Sequence, residues 1–514
     1  MLGQVAQLFS PTDYLLSLPI VLLTIFALGI LIIDLWVPAE LKWFNAVTAF
    51  IGTLFSLYIV VKIHFFYLSA PSTANGLVGF AQSMLLDRFA LYFYYLFLVA
   101  TLIAILTSVR YLEIEREHHG EYYALMLFAV VGMMCMASAI DVVLLFIGLE
   151  LMAISTYVLV GFLRRDRRSN EAALKYLLLG AFSSGIFAYG LSLLYGLTGS
   201  TNLFAINQRL GQLLQIHPKD PIAIIALITT ATGLLFKIAA FPFHQWAPDA
   251  YEGAPTTITG FMSVAVKAAA WAMLIRVLFI GFAPLQNVWV PMMIFVSIAT
   301  MTGANLAALT QTNTKRLLAY SSIAHVGYIL LGVVAFGSGQ NPAAADGLKG
   351  ILIYLLVYTF MNLGAFAVIA SLRRRDIIGD EIDDIAGLYS RAPFEAVLML
   401  IFLLSLAGIP PMAGFLAKYF IFLSLIESQH YVLAAVAVLY ALFGLYYYMK
   451  IASAMFMRQP LEREALPVSW GMRIALGITA FATIYIGILP EQFIRAVNWT
   501  LGLNQVSSVI SQLK

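Results

Sequence analysis

Apolar residues run along this chain in long blocks, about fourteen of them, each near the ~20 residues that a bilayer requires. Polar residues fall between the blocks rather than alternating within them. The first block, Tyr14–Trp36, has no basic leader and no small-residue cleavage site, so it reads as a retained helix and not a signal peptide. Asn45–Tyr67 follows, then a polar loop, an amphipathic lead-in at Leu85–Phe89 and a third helix ending near Arg110. The acidic stretch Glu113–Glu121, with His118 and His119, reads as a solvated loop. Helices four to six are expected over Tyr122–Ala139, Val142–Leu163 and Ala172–Leu197, with Arg164, Arg165, Arg167 and Arg168 between the last two. From Leu203, the segment LFAINQRLGQLL has helical apolar spacing and should lie along the membrane surface.

The seventh block is interrupted. GLLFKIAAFPFHQWAPDAYEGAP, Gly233–Pro255, places Lys237 inside an apolar helix and then Pro242, which removes one backbone donor and clashes one turn back. A broken helix is tolerated in a membrane only where protein or a water-filled cavity satisfies the freed backbone groups. A lysine beside such a break suits an ion or proton site. The plainer alternative is a helix that ends at Pro242 while Lys237 snorkels to the interface.

Helices eight to eleven follow at Thr256–Ile280, Val288–Leu309, Leu317–Phe336 and Leu348–Leu372, with Arg373, Arg374 and Arg375 after the last. Helix twelve starts near Phe394, breaks at Gly408-Ile-Pro-Pro, where Pro410 and Pro411 interrupt it, and resumes through Lys418 to Glu427. Tyr431–Met457, Trp470–Leu489 and a weakly amphipathic tail close the chain.

An internal repeat accompanies this pattern. GLELMAISTYVLVG from Gly148 aligns with AYSSIAHVGYILLG from Ala319, matching Tyr157 to Tyr328 and Gly161 to Gly332. Leu174-Lys175 aligns with Leu348-Lys349, and Gly233-LLF-Lys237 with Gly414-FLA-Lys418. Each match is weak alone, but they keep a common order. The expected organisation is an N-terminal part over 1–121, a first five-helix repeat over 122–281, a second over 282–458, and a last helix and tail over 459–514. An odd helix number per copy inverts the second copy in the membrane, the plan of secondary transporters and related proton translocators.

Composition fixes the class. Hydrophobic residues make up 62% of the chain and charged residues 11%, with a mean hydropathy of +0.91, whereas a soluble chain carries about 25% charge. The expected fold is therefore an all-α polytopic membrane protein. A net charge of +3 is too small to suggest nucleic acid. Fifteen Lys and Arg residues fall in the odd-numbered loops and about four in the even ones. By the positive-inside rule the odd loops face the cytoplasm, and both termini lie on the other side. One cysteine, Cys135, excludes an intramolecular disulfide and a four-thiolate cluster. The seven histidines make no metal-ligand pattern, and no glycine-rich nucleotide fingerprint is present, so no redox centre is expected in this chain.

A charge at the centre of a spanning helix costs roughly 2.5–3.5 kcal/mol on insertion scales, so each one calls for a reason. Glu150, Lys267, Lys237 and Lys418 qualify by position. Lys175 lies about one and a half turns into its predicted helix, where it could also snorkel. His325 is mid-helix, where a hydrogen-bonded core histidine is the alternative. Asp34, Arg276 and Lys450 fit structural roles or helix ends. Moving a carboxylate from about 4 to about 8 Å from a lysine, at an effective dielectric near 20, changes the pair energy from roughly 4 to roughly 2 kcal/mol. That is enough to load or discharge a lysine poised near neutrality.

At these residues the chain resembles the antiporter-like membrane subunits of the complex I family. The resemblance lies in GLELMAISTYVL with Glu150, EAALKYLLLGAFSS with Lys175, FKIAAFPFHQWAPDAYEGAPT with Lys237, SVAVKAAA with Lys267, QTNTKRLLAYSSIAHVGY, and GIPPMAGFLAKYF with Lys418. It is most similar to the N-type subunit, and the wording LRRDRRSNEAALKYLLLGAFSSGIFAYGLSLLYG resembles the photosynthetic form of cyanobacteria and chloroplasts. The resemblance implies proton translocation through Glu150, Lys175, Lys237, Lys267 and Lys418. It also implies a thylakoid membrane, a plastoquinone acceptor, a ferredoxin or NAD(P)H donor, and iron–sulfur clusters in other subunits. The expected partners are further antiporter-like and quinone-site subunits and lipids, with no cofactor or metal on this chain. A cation/proton antiporter subunit would use the same fold and lysines. A purely structural scaffold would keep unpaired mid-membrane lysines rare, contrary to this sequence.

Overall fold

The computed structural model describes residues 10–69, 76–338, 345–374, 379–460 and 468–502. Arg375 and Arg463, two of the loop cations counted above, lie outside that set. Thirteen helices among the described residues are long and apolar enough to cross a membrane. The fourteenth crossing is the broken pair Pro393–Ala407 and Ala413–Glu427.

In chain order, α1 is Pro11–Asp34 and α2 is Trp43–Ser69. A hairpin of β1 (Leu77–Gly79) and β2 (Met84–Leu86) then precedes α3, Arg88–Glu115. Leu85 and Leu86 thus belong to a strand and not to a helical lead-in. The helix opens only at Arg88 because the Asp87 carboxylate caps it, accepting from the Ala90 N–H at 2.8 Å.

The acidic stretch is a loop only over residues 116–119. Helix α3 runs through Glu113 to Glu115, and α4, Gly120–Ser138, begins after a link of residues 116–119. Glu113 pairs with Arg110 one turn earlier on the exposed face of the helix, and Glu115 forms a largely enclosed ion pair with Arg373. In the link, the Tyr123 hydroxyl lies 3.1 Å from His118 Nε2, and burial pushes the His118 imidazole below its ordinary range.

Helix α5 is Val142–Val160, and α6 is Arg167–Thr198. Arg167 and Arg168 lie in the first turn of α6, because Asp166 caps it by accepting from the Arg168 N–H at 2.9 Å. Lys175 is therefore more than two turns into its helix and not one and a half. Helix α7 is Leu203–Ile216, which buries Leu203, Ile206 and Leu210. The first broken pair is α8, Pro221–Ile238, and α9, Trp246–Gly253.

Helix α10, Thr256–Gly281, has two π-helical turns, Met262–Val266 and Val277–Gly281, flanking Lys267–Arg276. Next come α11 (Gln286–Leu309), α12 (Thr314–Gly337) and α13 (Ala345–Ser371). The second broken pair is α14, Pro393–Ala407, and α15, Ala413–Glu427. Helix α16 is Tyr431–Met457, α17 is Trp470–Ile488, and α18, Glu491–Leu501, is amphipathic.

Ion pairs tie the odd-numbered connections together at one end of the bundle. Arg316 of α12 reaches Asp249 and Glu252 of α9, each at 2.8 Å. Lys315 donates to the Glu252 and Ala254 carbonyl oxygens at 2.7 Å and stands 3.8 Å from Asp380. Burial pushes the Asp380 carboxyl above the usual range, against the pull of Lys315 and Arg373. At the opposite end, Arg276 binds Asp87 at 2.7 Å and the Ala137 carbonyl oxygen at 2.6 Å. Arg276 is a fully enclosed brace between α10, α3 and α4.

The repeat is closer in backbone than in letters. Ala239 and Gly408 end α8 and α14 in the left-handed conformation, at φ 60° and 85°. A cis proline follows each by three residues, Pro242 and Pro411. Both landmarks are 169 residues apart, so the pairing of Lys237 with Lys418 is a coincidence of letters. Lys237 precedes its break and corresponds to Leu406. Lys418 follows its break and corresponds to Asp249. Matching lysine to lysine missed this because apolar helices share residues by chance, whereas caps and breaks fix the register.

Candidate proton site along the broken helices

Lys237 sits in the last turn of α8, where a cation complements the carbonyl end of the helix. Its side chain is buried, and Nζ donates to the Tyr157 hydroxyl of α5 at 3.2 Å. Glu150, two turns before Tyr157 on α5, is the carboxylate whose charge reaches Lys237. One Glu150 oxygen, Oε1, is enclosed and has no hydrogen-bond partner among the described residues. Lys237 is thus the buried lysine that the Glu150 charge acts on.

Lys175 instead lies at the ion-paired end, half exposed, 2.8 Å from Glu171 and 3.0 Å from Asp249. This is the snorkelled placement. It joins the Arg316–Asp249–Glu252 cluster and not the buried lysines.

From Lys237 an aromatic bridge leads towards Lys267. Tyr157 meets Tyr176 edge-on at 4.6 Å, and Tyr176 stacks on Trp246 at 4.5 Å. The Trp246 indole donates to the Phe236 carbonyl oxygen at 2.9 Å, across the first break. Tyr251 follows Trp246 at 6.3 Å, and its ring lies under Lys267 Nζ at 5.5 Å.

Lys267 begins the segment between the two π turns and donates to the Ser322 hydroxyl of α12 at 2.5 Å. One turn along α12 stands His325, held between two tyrosines: Nδ1 is 2.5 Å from the Tyr354 hydroxyl and Nε2 3.0 Å from that of Tyr448. Tyr448 also bonds Ser321. Lys418 Nζ lies over the Tyr328 ring at 5.3 Å, and that ring is 6.2 Å from His325, so the histidine has both Lys267 and Lys418 nearby.

Lys418 is buried and donates across the second break to the Leu406 and Ala407 carbonyl oxygens at 3.2 and 2.7 Å. Lys237 and Lys418 thus hold non-equivalent positions: the Lys418 ammonium closes the carbonyl end of the preceding half-helix, whereas the Lys237 ammonium bonds the Tyr157 hydroxyl. Pro242 lies in the first break, and Pro410 and Pro411 in the second. Ser322, Tyr354 and Tyr448 were not singled out in the sequence, and Tyr157 only as a match between the repeats. A hydroxyl three residues before His325 and two tyrosines four apart on α13, Tyr354 and Tyr358, were the available signal.

Among the described residues no group of three or more His, Cys, Asp and Glu could hold a metal ion. What the track can do is pass protons. Lysines, a histidine, tyrosines and serines all donate, and all but the charged lysines can also accept.

Fourteen crossings, two broken helices and a buried basic track define an antiporter-like membrane subunit. Residues 139–444 match the family described as NADH:quinone oxidoreductase/Mrp antiporter, and the chain belongs to that family. It is 62% identical over 510 residues to NADH-quinone oxidoreductase subunit N 1 of Koribacter versatilis, covering 99% of both chains. It is similar to a chain of respiratory complex I from Thermus thermophilus, with 29% identity, a TM-score of 0.76 and coverage of 93% and 99%. A chain of the Mrp complex from Dietzia shares the fold at 20% identity, a TM-score of 0.77 and coverage of 94% and 97%.

Proposed function

We propose that this chain is a proton-translocating membrane subunit of an NADH-quinone oxidoreductase, with quinone reduction in neighbouring subunits driving proton movement along the Glu150–Lys418 track. The observation that carries the reading is the run of buried ionisable groups Lys237, Lys267, His325 and Lys418, the first three each hydrogen-bonded to a tyrosine or serine hydroxyl. Glu150 sets the charge at one end of it, and Pro242, Pro410 and Pro411 interrupt the two helices that carry or adjoin Lys237 and Lys418. Lys175 is a peripheral, non-obligatory member of this pathway at the ion-paired end, where Asp249 connects it to Arg316. The five-helix repeats would then be two half-channels, 122–281 and 282–458.

The sister subunits and iron–sulfur proteins of such a complex are the partners, and the odd loops face the cytoplasm with both termini opposite. The identity of the quinone and membrane follows the same reading. The 62% relative bears the name of an NADH-quinone oxidoreductase subunit, which favours NADH as donor in a bacterial membrane. The plastoquinone and thylakoid alternative has the wording around Lys175 behind it.

Pull-down of the tagged chain from native membranes tests this directly. It should bring down flavin- and iron–sulfur-containing subunits with NADH-dependent quinone reduction, and the lipid quinone in the eluate identifies the acceptor. In proteoliposomes, Lys237→Ala should lower protons pumped per NADH several-fold. Sodium- or potassium-dependent proton exchange without quinone reductase subunits would replace the reading with the antiporter.

A further inference from the structure

We propose that Ser183 and Ser184 complete the Glu150–Lys237 site by holding water between the carboxylate and the ammonium, which makes both hydroxyls positioning residues for proton transfer. The inference rests on the proton-carrying reading of that site.

Helix periodicity places the serines there. On α6, Gly180 lies against the Tyr157 hydroxyl of α5, and Phe187 stacks on Phe146 of α5 at 6.3 Å. Ser183 is three residues from Gly180 and four from Phe187, and Ser184 is four and three. Both therefore lie on the face that packs against α5. Glu150 lies four residues after Phe146 and seven before Tyr157, on the facing side of α5. On α8, Gly233 is tight against Phe187, and Lys237 is one turn farther on. Glu150, Ser183, Ser184 and Lys237 thus share one layer. The Tyr157–Gly180 contact bounds it towards the ion-paired end, and the Phe146–Phe187 stack closes it on the other side. Thr230 lies beyond Phe187, level with Gly190, and stays outside the layer.

The hydrogen bonding of these serines sets them apart. Helical hydroxyls buried in apolar surroundings commonly turn back to a carbonyl one turn earlier, as Thr53, Thr101, Ser108, Ser155 and Thr198 do here. Ser183 and Ser184 are 4% and 6% exposed, and neither Oγ has a partner among the described residues. Glu150 Oε1 shares that condition. An unsatisfied buried hydroxyl costs about 1–3 kcal/mol, so three such atoms in one layer point to a common ligand.

The chemistry selects water. Oε1 can only accept and a charged Nζ can only donate, so a bridging group must do both. A metal cation would be repelled by Lys237, and an anion by Glu150. Two hydroxyls, one carboxylate oxygen and one ammonium supply the two to four polar partners that a buried water needs.

The test uses the assembled complex in proteoliposomes, reading protons pumped per NADH oxidised and the amount of complex. The double variant Ser183→Ala with Ser184→Ala should assemble at the parent level and lose at least fivefold in that ratio. Threonine at both positions restores the hydroxyls and should recover at least half of the loss. Equal loss with alanine and threonine, or a parent ratio in the alanine pair, would overturn the assignment of the serines. Glu150→Gln is the control: if it too keeps the parent ratio, the proton-carrying reading itself fails. If it abolishes pumping while the alanine pair does not, only the role of the serines is lost.

Discussion

Lys418 Nζ donates to the Ala407 carbonyl oxygen at 2.7 Å, so the ammonium of one half-helix closes the carbonyl end of the other. The contact is supported on both sides. The Gly414 N–H donates to Ser405 Oγ at 3.0 Å, and Gly408 leaves room for the Lys418 stem, since a Cβ there would meet Lys418 Cδ at 2.8 Å. A hydrogen bond to a charged group contributes roughly 1.5–3 kcal/mol.

Lys418→Met should therefore loosen the second break as well as slow pumping. Amide hydrogen exchange over residues 408–413 should speed up by at least tenfold. Lys237→Met should leave exchange at the first break near the parent rate, because Lys237 bonds a tyrosine hydroxyl and no carbonyl of its break. Equal acceleration at both breaks would contradict this division of roles.

Lys175 should behave differently from the buried lysines. Its partners Glu171 and Asp249 are themselves partly exposed, and pairs of that kind contribute about 0.2–1 kcal/mol. Lys175→Ala is expected to change protons pumped per NADH by less than twofold, with the effect shrinking further at high salt. Losses matching those of Lys237→Ala would place Lys175 on the obligatory route.

The membrane-crossing pattern was legible in the sequence because apolar length is a property of single segments. Helix sixteen in this numbering, Tyr431–Met457, agrees at both ends. Boundaries slipped where polar residues were read as loops although their partners are distant in the chain. Glu115 is helical and paired with Arg373, and Arg167 is helical behind the Asp166 cap. The site divided in the same way. Glu150, Lys267 and Lys418 were conspicuous because each is a charge within an apolar run. The tyrosines around His325 were not, since Tyr354 and Tyr448 look like ordinary core residues until α12, α13 and α16 bring their hydroxyls to one ring.

The sidedness of the chain is open to a direct measurement. Gln459 and Gln215 are exposed, uncharged and in connections of opposite parity. If the basic odd loops face the cytoplasm, a cysteine at Gln459 should react with an impermeant maleimide from that side. A cysteine at Gln215 should react only from the other. Labelling of both from one side would reject the fourteen-crossing arrangement, and a clean reversal would reject only the orientation.

Glu150 gives the sharpest separation of mechanism from scaffold. Its charge reaches Lys237, while its Oε1 remains without a protein partner, so the side chain gives the fold little hydrogen bonding to lose. Glu150→Gln keeps the shape and removes the counter-charge. A buried lysine without that charge needs a higher proton concentration to load, so the optimum of coupled pumping should move towards acid pH. Glu150→Asp keeps the charge about one bond length farther away. Since pair energy falls with distance, it should retain part of the activity and shift the optimum less. A structural glutamate predicts something else: less assembled complex in both variants, with normal pumping per complex. Pumping per complex measured across pH distinguishes the two, and an unchanged profile in Glu150→Gln would remove Glu150 from the relay.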